Sequence, residues 1–505
     1  MNALYCLRHA RQVYGDNPAF EHGGRSAAWR EFYGIVENCA HRLRGLGIEK
    51  GDRVAVLLAN SPEFLELYYA VAMAGAIIVP LNTRWGVQEM RSTIQDSGSK
   101  LLIVDDRFAN IAEQLGVRLT HPFPPVSTGP AFEYEDPHED DVYGLFYTSG
   151  TTGGPKGAML THRNFYSNTL HGLAAPPGFS IGARYLHAAP MFHLADIGFV
   201  HMVTLRGGCH LFVPAFEPKA VMEAIHRHRV TDGVLLPTMI NMLLNHPDFG
   251  KYDLSCLKHV RYGGSPMPQS LLREAMDKIG CGFAQGYGMT ETSPLLTWMT
   301  PEEHLLNGDG NRCNPMKSAG RPIAGVEVRV VDAMDRDVPT GEVGEIIARG
   351  PNIMKGYWNR PDVNAEVLRG GWMHTGDLGY FDDGMYLYIA DRKKDMIKTG
   401  GENVYSPEVE AAIVAHPAVL EGAVIGVPDA VWGESIRAVV VLRPGAEASA
   451  DDIIAWCRDC LTHFKCPRSV VFTDVLPKGG TGKIQKQVLR ARFGEAAAAT
   501  ATAQP

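Results

Sequence analysis

Apolar runs and helical segments alternate along the N-terminal part of the chain. The runs that predict buried strands cover residues 54–59, 76–79 and 101–104. Between the first and second runs, a helix is expected from Pro62 to about Ala74 with Ser61 as its N-cap. Between the second and third runs, a helix is expected over 88–96. Strands that alternate with helices favour βαβ units, so this part of the chain predicts a parallel sheet in an α/β fold.

The alternation continues after residues 121–141, a segment rich in Pro and acidic residues that is typical of an exposed connection. Further strands are predicted at 142–147, 185–192, 231–236 and 257–262, and further helices at 164–173 and 220–229. The strand at 185–192 is expected to end at His193. The pattern therefore predicts parallel-sheet α/β layers throughout a large N-terminal domain.

The pattern changes towards the C-terminus. Residues 319–357 are rich in Gly, Val and turn residues and predict a β subdomain, and the charged run 390–395 is interpreted as a domain hinge. A small α+β domain is predicted after it, with a helix capped at Ser406 that ends near 416 and a helix over 449–461 with Ser449 as its N-cap. Strands are predicted at 419–425 and 436–442. The predicted division is an N-terminal domain at 1–391, a hinge at 392–395, a mobile C-terminal domain at 396–494 and a disordered tail at 495–505.

Composition and charge narrow the function classes. The 505 residues are 45% hydrophobic and 21% charged, with a net charge of −8, so the chain carries no overall basic surface that would attract nucleic acid. The start resembles an amphipathic helix more than a signal peptide, and the longest apolar run, 68–81, is too short to span a bilayer. A cytoplasmic protein without a transmembrane segment is predicted, and a homodimer is left open because the sequence does not indicate the oligomeric state.

The nine cysteines have no framework spacing, which fits a reducing compartment. Cys457 and Cys460 form a CxxC that is interpreted as two neighbouring positions of a helix, because no second CxxC completes a zinc site.

The strongest chemical signal lies between Tyr147 and Asn164. Hydroxyls and glycines at Thr148, Ser149, Gly150, Thr151, Thr152, Gly153 and Gly154 are followed by Lys156. Glycines let backbone N–H groups turn towards one ligand, hydroxyls donate further hydrogen bonds, and the lysine adds a positive charge, so the loop suits a triphosphate. It is not a Walker A loop, since Pro155 and Gly157 stand where that motif needs Gly and Ser or Thr.

A second group of motifs suits a nucleotide. Gly263, Gly264 and Ser265 form a glycine turn after a predicted strand, and Tyr287 stands between Gly286 and Gly288 with an aromatic face suited to stacking on a base. Thr290 can bond a phosphate, and Glu291 can hold Mg²⁺, which often binds one carboxylate together with phosphate oxygens. Asp377 is placed to accept hydrogen bonds from ribose hydroxyls, as acidic residues do in dinucleotide folds.

Together these segments resemble the acyl-CoA synthetases of the acyl-adenylate-forming superfamily from about Tyr5 to Arg492. The resemblance implies a ligase that uses ATP and Mg²⁺ to adenylate a carboxylic acid and then transfers the acyl group to CoA. It implies that ATP is contacted by the phosphate loop, by Arg392 and by the nucleotide motifs, namely Gly263–Ser265, Gly286–Gly288, Thr290 and Asp377. It also implies that Glu291 is the metal ligand. It also implies that Thr148, Lys156, His193 and Glu291 take part in catalysis, and that Lys483 bridges the acid and the α-phosphate.

The resemblance assigns further roles to the C-terminal part. Lys394 occupies the hinge position, while Gly400, Gly401, Glu402 and Trp432 match the segment that lines the pantetheine path of CoA. For the acid, likeness favours medium- and long-chain fatty acids, with an aryl-CoA ligase of feruloyl or benzoyl type as the alternative. A second alternative is an acyl-AMP ligase that serves a carrier protein.

Overall fold

The computed structural model describes residues 1–123, 125–126, 128, 131–148, 155–306, 314–478 and 484–494. Most of the predicted phosphate loop, the segment 479–483 with Lys483 and the predicted tail 495–505 lie outside these residues. The chain divides into two compact units. The first comprises 1–328, 348–374 and 382–387, and the second comprises 329–347, 375–381 and 388–505.

The strands and helices have the following bounds. The strands are β1 (Pro18–His22), β2 (Arg25–Ala28), β3 (Arg53–Leu57), β4 (Ile77–Pro80), β5 (Leu101–Val104), β6 (Leu119–Thr120), β7 (Val142–Thr148), β8 (Lys156–Thr161), β9 (Arg184–His187), β10 (Cys209–Phe212), β11 (Asp232–Val234), β12 (His259–Gly263), β13 (Gly282–Tyr287), β14 (Thr297–Met299), β15 (Arg321–Pro322), β16 (Glu327–Val331), β17 (Gly344–Arg349), β18 (Gly356–Tyr357), β19 (Met373–Phe381), β20 (Leu387–Arg392), β21 (Ile397–Thr399), β22 (Glu402–Val404), β23 (Val419–Asp429), β24 (Gly433–Leu442) and β25 (Ser469–Phe472). The helices are α1 (Leu4–Val13), α2 (Trp29–Gly45), α3 (Pro62–Met73), α4 (Val87–Ser97), α5 (Ala109–Ala112), α6 (His162–Ala174), α7 (Leu194–Leu205), α8 (Pro218–His228), α9 (Pro237–Leu244), α10 (Gln269–Ile279), α11 (Pro301–His304), α12 (Pro361–Val367), α13 (Ser406–Val414), α14 (Ala450–Cys460) and α15 (Lys486–Phe493).

Two largely parallel sheets form the frame of the first unit. One has the strand order β18-β8-β7-β4-β3-β5-β6, and the other has the order β15-β14-β13-β12-β11-β9-β10-β1-β2. In the first sheet β7, β4, β3, β5 and β6 run parallel, as do β1 and β9–β13 in the second. The strands β3, β4 and β5 are almost wholly buried, which explains their continuous apolar sequences. The predicted α/β fold class is confirmed.

Local signals place several elements of this unit. The β5 strand has the predicted bounds, and α3 begins at Pro62 because the Ser61 side chain accepts the backbone N–H of Phe64. None of the helices in the described part of the chain combines the length and the apolar character that a bilayer crossing demands.

The second unit contains an antiparallel hairpin of β23 and β24, with β21 and β22 on one side and β25 pairing with β24. Apolar side chains of this sheet pack against α13 and α14 on one face and against Leu489 of α15 on the other. Ser449 caps α14 as predicted, and both cysteines of the CxxC lie on that helix, Cys457 buried and Cys460 exposed.

Three sequence-based predictions about elements are wrong. The strand predicted at 185–192 ends at His187, because Pro190 cannot donate to a strand ladder and the chain turns there instead. Residues 319–357 do not form one β subdomain, because β15, β16–β17 and β18 belong to three different sheets. Ser406 is the first residue of α13 and not its cap, since its hydroxyl is used elsewhere, as described below.

Candidate active site

The base of the predicted phosphate loop is a pair of antiparallel strands. Thr148 at the end of β7 stands opposite Lys156 at the start of β8, so both ends of the loop are held in register. Tyr147 fixes this base, because its ring packs against Gly157 and its hydroxyl donates to Oδ2 of Asp96 at 2.7 Å. Burial, together with Asp96, raises the pKa of Tyr147 far above its usual range, so the phenol stays a donor.

Glu291 lies next to this base and is 4% exposed. Its Oε1 accepts a hydrogen bond of 2.6 Å from the hydroxyl of Tyr357, and its backbone carbonyl accepts the N–H of Met354 at 2.9 Å. The ammonium group of Lys156 lies 5.7 Å from the centre of the Tyr357 ring. One tyrosine therefore connects the lysine of the phosphate loop with the predicted metal ligand.

The residues that are predicted to contact the adenine base are neighbours at strand ends. Gly263 of β12 pairs with Gly286 of β13, and a Cβ on Gly263 would overlap the carbonyl oxygen of Gly286. A side chain at Gly263 is therefore excluded. Tyr287 is the last residue of β13, and Gly264 and Ser265 follow β12 at the same edge of the sheet. The carboxyl ends of parallel strands are where α/β folds bind ligands.

His193 is the N-cap residue of α7 and follows buried Phe192. The turn before it is held by Asn60, whose Oδ1 accepts the N–H of Met191 at 2.8 Å and whose Nδ2 donates to the carbonyls of His187 and Ala189 at 3.1 and 2.9 Å. These three bonds satisfy backbone groups that a strand ladder would otherwise pair. Asn60 thus fixes the segment that presents His193.

A second link fixes the start of α7. The imidazole Nδ1 of His187 lies 2.6 Å from Oδ2 of Asp196, and its Nε2 lies 2.9 Å from Nδ1 of His210. All three side chains are fully buried. Burial lowers the pKa of His210 far below its ordinary value, and the neighbouring His187 lowers it further. His210 is therefore neutral, as a buried structural histidine is expected to be.

In the second unit, the two residues that are predicted to contact the ribose form an ion pair. The Nε of Arg392 lies 2.6 Å from Oδ1 of Asp377. The N–H of Asp377 bonds to the hydroxyl of Thr375 at 3.1 Å, which fixes the turn. Two residues that are 15 positions apart in the sequence are thus brought together as expected for one binding site. Lys394 lies in the turn after Arg392 and is exposed.

The predicted pantetheine segment also comes together in the second unit. The N–H of Gly400 donates to the carbonyl of Trp432 at 2.9 Å, and a Cβ on Gly400, which has a φ of +59°, would strike the indole ring. The guanidinium of Arg468 lies 4.2 Å from the centre of that ring. Asp429 accepts the N–H groups of Trp432 and Val431, which lowers its pKa and shapes the turn. Trp432 is 42% exposed. An exposed indole beside a cation is suited to an extended anionic ligand.

The donor set fits ATP and Mg²⁺. Glu291 offers a hard carboxylate oxygen beside the base of a phosphate loop, and Mg²⁺ is typically held by one or two carboxylates and by phosphate oxygens. When bound, the metal would supply positive charge that stabilises the phosphate oxygens while the adenylyl group is transferred to the acid and pyrophosphate leaves. No local pattern marks Tyr357, Asn60, Asp96 or Arg468 as a site residue, because each acts through a contact with a residue far away in the sequence.

The fold and site define an adenylate-forming enzyme, and comparison with known proteins agrees. The profile of the AMP-binding enzyme family matches residues 7–358, and that of the AMP-binding enzyme C-terminal domain matches residues 408–483. The chain belongs to the AMP-binding enzyme family. It is an ATP-dependent, AMP-forming acid–CoA ligase, and such enzymes use ATP, Mg²⁺ and CoA.

Individual relatives cover nearly the whole chain. A feruloyl-CoA synthase of Amycolatopsis sp. is 42% identical over 482 residues, which are 94% of this chain and 96% of the relative. A long-chain-fatty-acid–CoA ligase of Mycobacterium tuberculosis is 36% identical over 484 residues, 91% of this chain and 92% of the relative. The crystal structure of ATP-bound MatB from Rhodopseudomonas palustris superposes with a TM-score of 0.88 at 32% identity and covers 98% of this chain and 100% of that one.

Proposed function

We propose that this ligase activates a planar aromatic acid of the hydroxycinnamic type. The observation that carries the proposal is the 42% identity to feruloyl-CoA synthase along almost the full length of both chains, against 36% for the long-chain-fatty-acid ligase. The fatty acid that the sequence analysis favoured remains the second candidate, and the fatty-acid relative supports it.

The helix that begins after His193 is tightly packed against its neighbours. Within α7, Gly198 touches the ring of Pro294 so closely that a Cβ would overlap it, and the Asn168 side chain donates to the Gly198 carbonyl at 3.0 Å. One turn further along, Met202 fills the space above Gly172 of α6. The seam between α6 and α7 is thus closed by small residues and tight contacts.

The roles of the site residues are part of the proposal. The phosphate loop with Lys156 holds the β- and γ-phosphates, Gly263–Ser265 and Gly286–Gly288 hold the adenine, and Thr290 bonds the α-phosphate. Asp377 and Arg392 hold the ribose, and Glu291 binds Mg²⁺. Lys483 stabilises charge that develops at the α-phosphate during adenylation, and loss of such a donor costs about 10²–10³ in rate. The Gly400–Glu402 segment and Trp432 line the path of CoA.

The substrate test is pyrophosphate release with ATP and Mg²⁺ across hydroxycinnamic, benzoic, medium-chain and long-chain acids, each with and without CoA. We expect CoA-dependent turnover that is fastest with a hydroxycinnamic acid. Fastest turnover with a fatty acid would reject the aromatic proposal and leave the ligase activity intact. Release that stops after about one equivalent in both arms would indicate an adenylate that awaits a carrier protein.

A variant tests the role of Lys483. Lys483→Ala is expected to lose adenylation, measured as pyrophosphate release, and to retain thioester formation from supplied acyl-adenylate and CoA. Equal loss of both half-reactions would contradict the assignment.

A further inference from the structure

Helix α15 begins three residues after Lys483 in the sequence, and two of its basic residues, Lys486 and Arg490, make polar contacts with other parts of the second unit. The two ends of the segment 479–483 are joined by a backbone bridge between Lys478 and Ile484 and by the N–H of Gln485, which donates to the carbonyl of Pro477 at 2.8 Å. Lys486 follows within the first turn of α15. Lys486 therefore lies next to the residues at which the two ends of the segment are joined.

Lys486 is held by two partners. Its Nζ lies 2.8 Å from Oε1 of Glu410 and donates to the hydroxyl of Ser406. The Lys486 side chain is only 14% exposed and that of Glu410 21%, so this pair is more shielded than a typical surface ion pair. The same Oε1 of Glu410 accepts the N–H of Val424 at 2.9 Å, which fixes the carboxylate to the central hairpin.

Ser406 extends the link to Asp391. Both the N–H and the hydroxyl of Ser406 bond to Oδ2 of Asp391, at 2.7 and 2.8 Å, and its side chain is fully buried. The other oxygen, Oδ1, accepts the N–H of Arg392 at 2.7 Å. Arg392 is the residue whose guanidinium pairs with Asp377 in the proposed ribose site. A continuous chain of polar contacts thus runs from Lys486 to the nucleotide-binding arginine.

A second contact connects the same two segments. Nη2 of Arg490, one turn after Lys486 on α15, lies 2.7 Å from Oδ1 of Asp395. The N–H of Asp395 bonds to the carbonyl of Arg392 at 2.8 Å. The helix after the lysine loop is therefore tied at two points to residues 391–395, on both sides of the proposed hinge residue Lys394.

We propose that Lys486 is a positioning residue for adenylation. Through Ser406 it ties the start of α15, three residues after Lys483 in the sequence, to Asp391, and through Glu410 it ties the same point to the central hairpin. This inference rests on the proposed role of Lys483. A catalytic cation needs fixed neighbours, because a displacement of about 1 Å can cost on the order of a hundredfold in rate. The ion pair and the hydroxyl bond supply that constraint through groups that do not themselves contact the substrate.

The test compares both half-reactions in the full-length enzyme. Adenylation is followed by pyrophosphate release with ferulate, or with the fastest acid of the panel, and thioester formation is followed from supplied acyl-adenylate and CoA. Lys486→Ala is expected to slow adenylation on the order of ten- to a hundredfold and to leave thioester formation unchanged. Lys486→Arg, which keeps the charge, is expected to recover most of the rate.

Arg492→Ala is the matched control, because it removes a cation from an exposed position on the same helix, where the guanidinium stacks on Phe493. It is expected to change neither half-reaction. If Lys486→Ala does not fold, Ser406→Ala breaks the link to Asp391 and keeps the pair with Glu410, and it should show the same selective loss at smaller size.

The outcomes distinguish a failure of the role proposed for Lys486 from a failure of the role proposed for Lys483. If Lys483→Ala loses adenylation and Lys486→Ala does not, or if Lys486→Ala slows both half-reactions equally, the positioning role is overturned and the function of Lys483 stands. If Lys483→Ala retains adenylation, the proposed role of Lys483 is wrong and the inference falls with it.

Discussion

The hydroxyl of Tyr357 donates to Oε1 of Glu291 at 2.6 Å, and both side chains are buried. A carboxylate that binds a metal keeps its orientation only if its own hydrogen bonds hold it, and such outer partners typically change metal affinity by 10–100-fold. Because the ring of Tyr357 also lies beneath Lys156, one side chain supports two groups that are expected to act on the same triphosphate. The site is thus organised by a residue that itself needs no contact with the nucleotide.

Tyr357→Phe is expected to weaken use of Mg·ATP. The variant keeps the ring beneath Lys156 but removes a hydrogen bond to a charged group, which contributes about 1.5–3 kcal/mol. We expect the Mg²⁺ concentration for half-maximal pyrophosphate release to rise by about tenfold or more. Tyr386→Phe is the matched control, because its hydroxyl also donates to a glutamate, Glu303, at 2.9 Å. A Mg²⁺ dependence that is the same in both variants would contradict the role of Tyr357.

Short sequence patterns predict the elements of this protein that depend on neighbouring residues. The strand β5 and the caps at Ser61 and Ser449 follow from apolar runs and from a hydroxyl at a helix start, which are local signals. Tyr357 and Glu291 are 66 positions apart, and Asn60 and Met191 are 131 apart. No local pattern marks such pairs, since a tyrosine or an asparagine near a turn is ordinary.

Two of the three wrong predictions have the same physical origin. The apolar run at 185–192 suggested a longer strand, but the side chain of Asn60 takes the backbone groups of the chain after His187 and lets it turn. Ser406 before Pro407 looked like a helix cap, yet its hydroxyl bonds to Asp391. In both cases a hydrogen bond between residues far apart in the sequence took the place of the strand pairing or the helix cap that the local pattern predicts.

Asn60→Ala is expected to affect the acid more than ATP. It leaves the N–H of Met191 and the carbonyl of Ala189 without this partner, at about 1–3 kcal/mol for each group, while the His187 carbonyl still accepts the N–H of Val213 at 3.3 Å. We expect a lower melting temperature and a higher KM for the acid, because the turn before His193 loosens. Asn38→Ala, which also removes an amide that bonds to backbone carbonyls, serves as the control. It is expected to lower stability and leave the KM for the acid unchanged, so equal KM values in both variants would count against Asn60 as a support of His193.

Trp432→Ala is expected to impair thioester formation selectively. The indole is exposed, lies against Gly400 and is covered on one face by Arg468, so its removal changes the proposed CoA path and leaves the nucleotide residues in place. We expect a higher KM for CoA, with an unchanged rate of acyl-adenylate formation in the absence of CoA. Val431→Ala, on the neighbouring exposed position of the same turn, should change neither value. Loss of adenylation in Trp432→Ala would show instead that the turn supports the whole domain.

Glu66→Gln is expected to stabilise the protein at neutral pH. Glu66 of α3 is 3% exposed, and its Oε1 has no hydrogen-bond partner among the described residues. Burial raises its pKa from 4.5 to about 8, and the nearby Glu63 adds to the shift. The folded state therefore retains a proton that the unfolded state loses above pH 4.5, so the free energy of unfolding falls as the pH rises from about 4.5 to 8.

Glutamine cannot ionise, so the Glu66→Gln variant should lack this fall, which has a slope of about 1.4 kcal/mol per pH unit at most. Urea unfolding between pH 5 and pH 8 measures the free energy of unfolding, and the variant should be more stable than the parent protein by an amount that grows with pH to roughly a few kcal/mol.

Glu63→Gln is the control with the opposite sign. Burial alone would raise the pKa of Glu63, but its ion pair with Arg25 at 2.5 Å lowers it overall, so that variant should be destabilised at neutral pH and recover as the pH falls. A Glu66→Gln advantage that does not depend on pH would mean that the carboxyl ionises normally in the folded protein.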